Sequence, residues 1–314
     1  MRFPVKRVSE LAPVPKEQRW LVQGLWADQA VGIVGGEPKS CKSFLALDLA
    51  VAVASGAPCL RHFPVNKTGR VLLYAAEDHP HVVRSRLEGI ARKAGVDFAS
   101  LDVFSIVASQ IRLDSLNHRQ SLQETVETVK PALLVLDPFV RLHAGDENAV
   151  SEVAPLLAYL RSLQRRFGTA VLLVHHARKG AGNARAGQAL RGSSDLHGWG
   201  DCNLYLRRKG KDLLLSIEHR AAAGLDSLPL ALQGDDDDLA LHLLDPHPTV
   251  DEHPPPTPPE RIQSALAQAA APLTVRQLRE AAKMRTQNLC QALHELVENG
   301  HVIKEHDGYR LPTP

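Results

Sequence analysis

Gly36, Glu37, Pro38, Lys39, Ser40, Cys41, Lys42 and Ser43 have the types and order of a phosphate-holding loop, G-x-x-x-x-G-K-[ST]. Such a loop runs from a strand into a helix start, where backbone N–H groups point at an anion. Lys42 would reach the terminal phosphates of a nucleoside triphosphate, and the Ser43 hydroxyl would sit on magnesium. One position departs from the pattern, because Cys41 stands where the second glycine belongs. A cysteine is tolerated there if its backbone is helical and is strained at positive φ. Gly36, Lys39, Ser40, Cys41, Lys42, Ser43 and Phe44 are therefore the candidate nucleotide-binding residues.

Three further groups have the chemistry such a site needs. Asp137 ends the apolar run LLVLD and is the candidate second magnesium ligand beside Ser43; its plain alternative is a strand terminator. Glu77 follows RVLLYAA, with Asp78 beside it, at the strand end where open α/β sheets place their ligands. It is the candidate general base that polarises the attacking water, against the reading that it caps the next helix. His175 and His176 end the run VLLVHH, where an imidazole would face the γ-phosphate. Adjacent residues on a strand point to opposite faces, so the pair is a poor metal site.

The elements that must position these residues are legible as alternating strands and helices from Ala30 to about Val174. Residues 31–34, 70–76, 101–107, 132–137 and 169–176 read as strands. Their near-continuous apolar character predicts a mostly parallel sheet covered by helices on both faces. FLALDLAVAVASG, HVVRSRLEGIARKAG, HRQSLQETVETVK and VSEVAPLLAYLRSLQRRFG carry helical spacing. Beyond Gly200, CNLYLRR, DLLLSIE and SLPLALQ read as strands that extend the sheet as hairpins. The acidic run 234–238 reads as a solvated turn. Residues 245–259, DPHPTVDEHPPPTPP, read as an extended linker. Four parts follow: an N-terminal segment (1–29), an α/β domain (30–244), the linker (245–259) and a small C-terminal domain (260–314).

A net charge of +2 gives no bulk attraction to nucleic acid, so any basic surface must be local. The four cysteines form no CxxC pair, which argues against a disulfide framework or a zinc site and for a cytoplasmic setting. No stretch reaches the roughly 18 apolar residues of a membrane span, and no signal peptide is read at the N-terminus.

WLVQGLWADQAVGIVGGEPKSCKSFLAL, YAAEDH, LVLDPF, and LLVHHARKG followed by LRGSSDLHGWGD together resemble the RepA-like hexameric replicative helicases, RecA-fold AAA ATPases to which the DnaB helicases are related. The resemblance covers about Trp20 to Leu244. It implies ATP and Mg2+ as ligands, Glu77 as catalytic glutamate, Asp137 and Ser43 on magnesium, and His176 as the residue coupling nucleotide state to DNA. It also implies a ring, with each site completed by an arginine of the next subunit. The RepA-like position for that arginine falls on Asp201, whereas the DnaB-like position matches Arg207, with Arg208 second. Such a finger is worth about 10³ to 10⁵ in rate. The glycine-rich stretch bearing Arg178, Lys179, Arg185 and Arg191 resembles the loop that faces single-stranded DNA in the channel.

After the linker, RIQSALAQAA, TVRQLREAAK and TQNLCQALHELVENG read as three amphipathic helices and HVIKEHDGYRLP as a hairpin. This resembles a winged helix-turn-helix domain, whose third helix would offer Arg285, Gln287 and Asn288 to base edges of duplex DNA. The expectation is a ring-forming, hexameric helicase or translocase of a plasmid, phage or other mobile element. The alternative is a DNA-bound ATPase regulator or assembly switch that does not unwind. Nothing resembles the acceptor lid of a small-molecule kinase.

Overall fold

A computed structural model of the 314-residue chain describes residues 3–13, 15–107, 110–176, 194–210, 212–235, 238–244, 258–269, 271–282, 284 and 286–312, with the backbone alone for 16, 17, 194 and 286–288. The chain divides into two compact units, Met1–Pro246 and His247–Pro314. Of the proline-rich stretch expected to link them, residues 245–257 lie outside the described residues.

In the first unit a small antiparallel pair, β1 (Trp20–Val22) and β2 (Trp26–Ala27), precedes the main sheet. The elements then run β3 (Val31–Gly36), α1 (Lys42–Ser55), β4 (Val71–Ala75), α2 (Pro80–Lys93), β5 (Val103–Ser105), α3 (Leu116–Val129), β6 (Leu133–Asp137), α4 (Val150–Phe167) and β7 (Ala170–His176). They continue with α5 (Ser194–Trp199), β8 (Cys202–Lys209), β9 (Asp212–His219), β10 (Leu225–Gln233) and β11 (Ala240–Leu243). The nine-stranded sheet has the order β11-β10-β9-β8-β3-β7-β6-β4-β5. Strands from β8 to β5 in that order are parallel, and β9, β10 and β11 add antiparallel to the β8 edge.

Alternation along each strand explains why both faces are apolar. Val34, Leu73, Val135, Leu172, Val174, Leu204 and Leu206 join the cluster under α1 and α2. Val31, Ile33, Leu72, Leu134, Leu136, Leu173 and Tyr205 join the cluster under α3, α4 and α5. The first cluster starts earlier than the domain boundary expected at residue 30, because Leu21, Val22, Leu25 and Trp26 are fully buried in it. The strand expected over 101–107 narrows to Val103–Ser105: β5 is an edge strand, and Phe104 and Val107 are exposed there. The acidic run turns β10 into β11, with the Asp235 N–H donating to the Asp238 carboxylate and Lys93 paired with the same carboxylate.

The second unit holds α6 (Pro258–Ala267), α7 (Val275–Ala281), α8 (Thr286–Glu298) and a hairpin of β12 (Ile303–Glu305) and β13 (Gly308–Arg310). Its core is Ile262, Leu266, Leu278, Leu289, Leu293, Leu296 and Val302. Thr274 starts α7 with a reciprocal cap, its hydroxyl accepting from the Gln277 N–H while the Gln277 side chain accepts from the Thr274 N–H.

Candidate nucleotide site

Strand register gathers the site. Parallel pairing places Ala75 opposite Asp137 and Gly36 opposite His176, so the ends of β3, β4, β6 and β7 meet at one edge of the sheet. There the loop 36–43 leaves β3 and turns into α1. Gly36 has no room for a side chain, since a Cβ would lie 2.4 Å from the Leu206 carbonyl oxygen and 2.7 Å from Ser40 Oγ. The Ser40 hydroxyl is buried and makes no hydrogen bond among the described residues. The first amides of α1 have no partner within the helix. A buried donor without an acceptor, a turn closed to a Cβ and helix-start amides together fit a phosphate group.

A cleft of about 370 Å3 opens over this loop, lined by Lys39, Ser40, Cys41, Lys42, Ser43 and Phe44, and across it by Glu77, Asp78, Arg86, Asp137, Val174 and His176. Lys42 is buried and donates from Nζ to the Glu37 carbonyl at 2.7 Å. Burial holds its pKa below the usual lysine value, and the nearby Asp137 opposes that shift. Asp137 shows the mirror effect. Burial pushes its carboxyl up to about 6, Asp78 and Glu77 add to the rise, and the Ser43 hydroxyl that donates to it and Lys42 pull it back. A buried carboxylate among like charges, bonded to a serine hydroxyl, is a hard oxygen donor set of the kind Mg2+ takes with a nucleotide's phosphates.

The expected residues fall into three groups. The whole loop with Phe44, together with Glu77, Asp137 and His176, lines the one cleft. His175 and His176 point to opposite faces, as strand geometry requires: His176 lines the cleft, while His175 is fully buried, 6.2 Å from the Phe139 ring and 3.5 Å from Glu147. Arg207 and Arg208 divide in the same way along β8. Arg208 shares the α1 side with Leu204 and Leu206, and its guanidinium lies 3.4 Å from the Lys39 carbonyl of its own chain and bonds the Cys41 thiol. Arg207 shares the other side with Tyr205. Arg178, Lys179, Arg185, Arg191 and Arg285 lie outside the described residues, as do the side chains of Gln287 and Asn288.

Cys41 takes the strained alternative. Its φ of 62° and ψ of 26° are left-handed, as is the φ of 64° at Lys39. Burial raises the thiol's pKa, against the pull of Arg208, Lys42 and Arg86, so it stays protonated. Sequence reasoning passed over two arginines at the site. Arg86 of α2 pairs with Asp78 at 2.5 Å and stacks over the Phe44 ring. Arg141, in the 3-10 turn Phe139–Arg141, donates from Nε to Glu77 Oε1 at 2.7 Å. Neither lies in a sequence pattern, so no signal pointed to them.

The sequence profile of the AAA domain family matches residues 2–182. The chain belongs to that family. Among solved structures, this AAA domain protein is similar to the ATPase domain of a DnaB-like helicase, at 13% identity over 70% of this chain and 87% of that one, with a TM-score of 0.55. It is also similar to the RadB recombinase, at 16% identity over 69% of this chain and 92% of that one, with a TM-score of 0.50. At these identities the likeness speaks to the fold: a helix-flanked, mostly parallel sheet of the RecA-like P-loop ATPase class, as the strand pattern predicted. Among the described residues, no helix is long and apolar enough to cross a membrane.

Proposed function

We propose that this AAA domain protein is a ring-forming DNA helicase or translocase, driven by ATP hydrolysis, that acts on single-stranded DNA in the replication or maintenance of a mobile element. One observation carries the reading. His176 lines the nucleotide cleft and is followed in the chain by the segment containing Arg178, Lys179, Arg185 and Arg191, so a single strand end joins the phosphate site to the stretch suited to a nucleic-acid backbone.

In this reading Lys42 and the loop amides hold the β- and γ-phosphates, and Glu77 orients the attacking water and takes its proton. Ser43 and Asp137 would hold Mg2+, which neutralises charge on the phosphates when bound. His176 senses the γ-phosphate. Arg207, on the side of β8 away from its own loop, completes the site of the next subunit in a hexamer, with Arg208 as the second candidate. The second unit, read as a winged helix, would dock on duplex DNA through Arg285, Gln287 and Asn288. The protein acts in the cytoplasm.

The test is ATPase activity with and without single-stranded DNA, together with strand displacement on a forked duplex. Stimulation with displacement supports the motor. An ATPase indifferent to DNA that displaces nothing, in a protein whose mass stays that of a monomer with ATP, overturns it. Mixing Arg207→Ala and Lys42→Ala proteins should restore part of the activity if the site is shared. One observation favours the second reading, a DNA-bound assembly switch. The phosphate loop carries a left-handed cysteine held by an arginine of its own chain, an arrangement suited to slow turnover. ATP-dependent assembly without displacement would select it.

A further inference from the structure

Glu77 and Asp78 leave β4 side by side, and arginines from two different elements hold them. Asp78 is paired with Arg86 of α2. Glu77 Oε1 accepts from Arg141 Nε at 2.7 Å. Arg141 ends the 3-10 turn that follows β6, four residues beyond Asp137, so a short length of backbone joins it to the magnesium side of the cleft. That backbone is fastened on both sides of the arginine: the Ala76 N–H donates to the Asp137 carbonyl at 2.7 Å, and the Leu142 carbonyl accepts from the Leu113 N–H at 2.5 Å.

We infer that Arg141 is a positioning residue that restrains Glu77 and holds down basal ATP hydrolysis. The inference rests on the reading of Glu77 as the general base. A carboxylate oxygen that already accepts from a guanidinium has that lone pair engaged, so orienting a water with it requires breaking the pair. Loss of the guanidinium therefore frees the base without touching the groups that bind phosphate. The side chains of Arg141 and Glu77 are 62% and 44% exposed, which makes this a solvent-screened pair. Pairs of this kind shift an equilibrium by about 1.5- to 5-fold, and that range is the size of the restraint. A restraint so small can be opened by a competing anion or a modest movement of the turn.

The experiment measures steady-state ATP hydrolysis by the full-length protein, without DNA, for the unaltered chain and for Arg141→Ala, Arg141→Lys, Glu77→Gln and the Arg141→Ala/Glu77→Gln double variant. Arg141→Ala is expected to raise kcat about 1.5- to 5-fold with the KM for ATP unchanged. Arg141→Lys keeps a charge without the planar fork and should fall between. Both Glu77→Gln and the double variant should be silent. A kcat for Arg141→Ala equal to or below that of the unaltered chain, with Glu77→Gln silent, overturns the restraint and leaves the base assignment standing. Full activity in Glu77→Gln overturns the base assignment itself. A double variant as fast as Arg141→Ala shows that the gain does not run through Glu77 and overturns the inference. Melting temperatures of all four variants, expected to match the unaltered chain, separate these outcomes from a folding defect.

Discussion

Asp137 and Asp201 are both aspartates at strand ends, and their surroundings differ in almost every respect. Asp201 sits at the amino edge, just before β8, where its carboxylate accepts from the Val31 N–H and pairs with Arg161 of α4 and with Arg220. Asp137 sits at the carboxyl edge of β6 in the cleft, faced by Glu77 and Asp78, with a serine hydroxyl donating to it. Two cations satisfy the first carboxylate, and it acts as a fastener. The second is buried among like charges, with its pKa raised to about 6, an arrangement that weakens the fold and suits an incoming cation. The sheet therefore keeps a stable edge and a reactive edge, separated along β3 by roughly 16 Å.

The comparison breaks most readily on catalysis. Lys42→Ala and Asp137→Asn should each cost about 10²- to 10³-fold or more in kcat, the size expected when a group aimed at developing phosphoryl charge is removed. Asp201→Asn should leave kcat within about twofold, since its partners lie at the other edge. A large loss of kcat in Asp201→Asn with the fold intact would erase the distinction between the edges.

Stability should move the opposite way. Asp201→Asn removes the charge that Arg161 and Arg220 share and should destabilise by about 1–3 kcal/mol. Asp137→Asn should stabilise. Folding raises that carboxyl from 3.8 to about 6, so its ionised form opposes folding. The cost is fully present above about pH 6 and is relieved as the pH falls towards 4. Removing the charge should gain on the order of 1–3 kcal/mol at neutral pH with divalent cations chelated. Thermal melts of the two variants at pH 5 and pH 8 check both signs. A stabilised Asp201→Asn or a destabilised Asp137→Asn would reverse the assignment of the edges.

Gly36→Ala sharpens the reactive edge at its start. The new Cβ meets a backbone carbonyl at 2.4 Å, and backbone cannot step aside as a flexible side chain could. A loss of about 1–3 kcal/mol with weakened nucleotide binding is expected, read by melting and by ATP titration. A neutral substitution would mean that the close approach of β8 to the loop is not needed.

The reactive edge was largely legible in the sequence for a geometric reason. Apolar runs such as VLLYA and LLVLD are buried on both faces, so they read as strands of a parallel sheet, and parallel strands bring their ends to one edge. Glu77, Asp137 and His176 could be placed there from the runs that precede them. What decides their state could not. Arg86, Arg141 and Arg208 arrive from α2, a 3-10 turn and β8, and their reach depends on tertiary packing that no local pattern records. The short strand β11 was missed because its four residues pair only with β10, and β5 was drawn too long because an edge strand loses its partners early. Asp201 drew notice only as a substitute for an arginine; its fastening role depends on Arg161 and Arg220, which lie far from it in the chain or beyond a hairpin.

The smallest expected effect tests the one place where the reactive edge departs from its motif. The loop pattern left the backbone at Cys41 open between a helical and a left-handed conformation, and it is left-handed, at φ 62°. A residue with a Cβ gives up about 1–2 kcal/mol in that region. Glycine relieves the strain but costs about 0.5–1 kcal/mol in unfolded-state entropy, so Cys41→Gly should stabilise by about 1 kcal/mol or less. Cys41→Ala removes the thiol that Arg208 bonds and keeps the strain, so it should not stabilise at all. If turnover is limited by a stiff loop, Cys41→Gly alone should speed ATP hydrolysis. If it is limited by the hold of Arg208 on the thiol, both variants should speed it equally. A Cys41→Gly protein that is less stable than the unaltered chain and no faster would remove strain at this position from the account of the site.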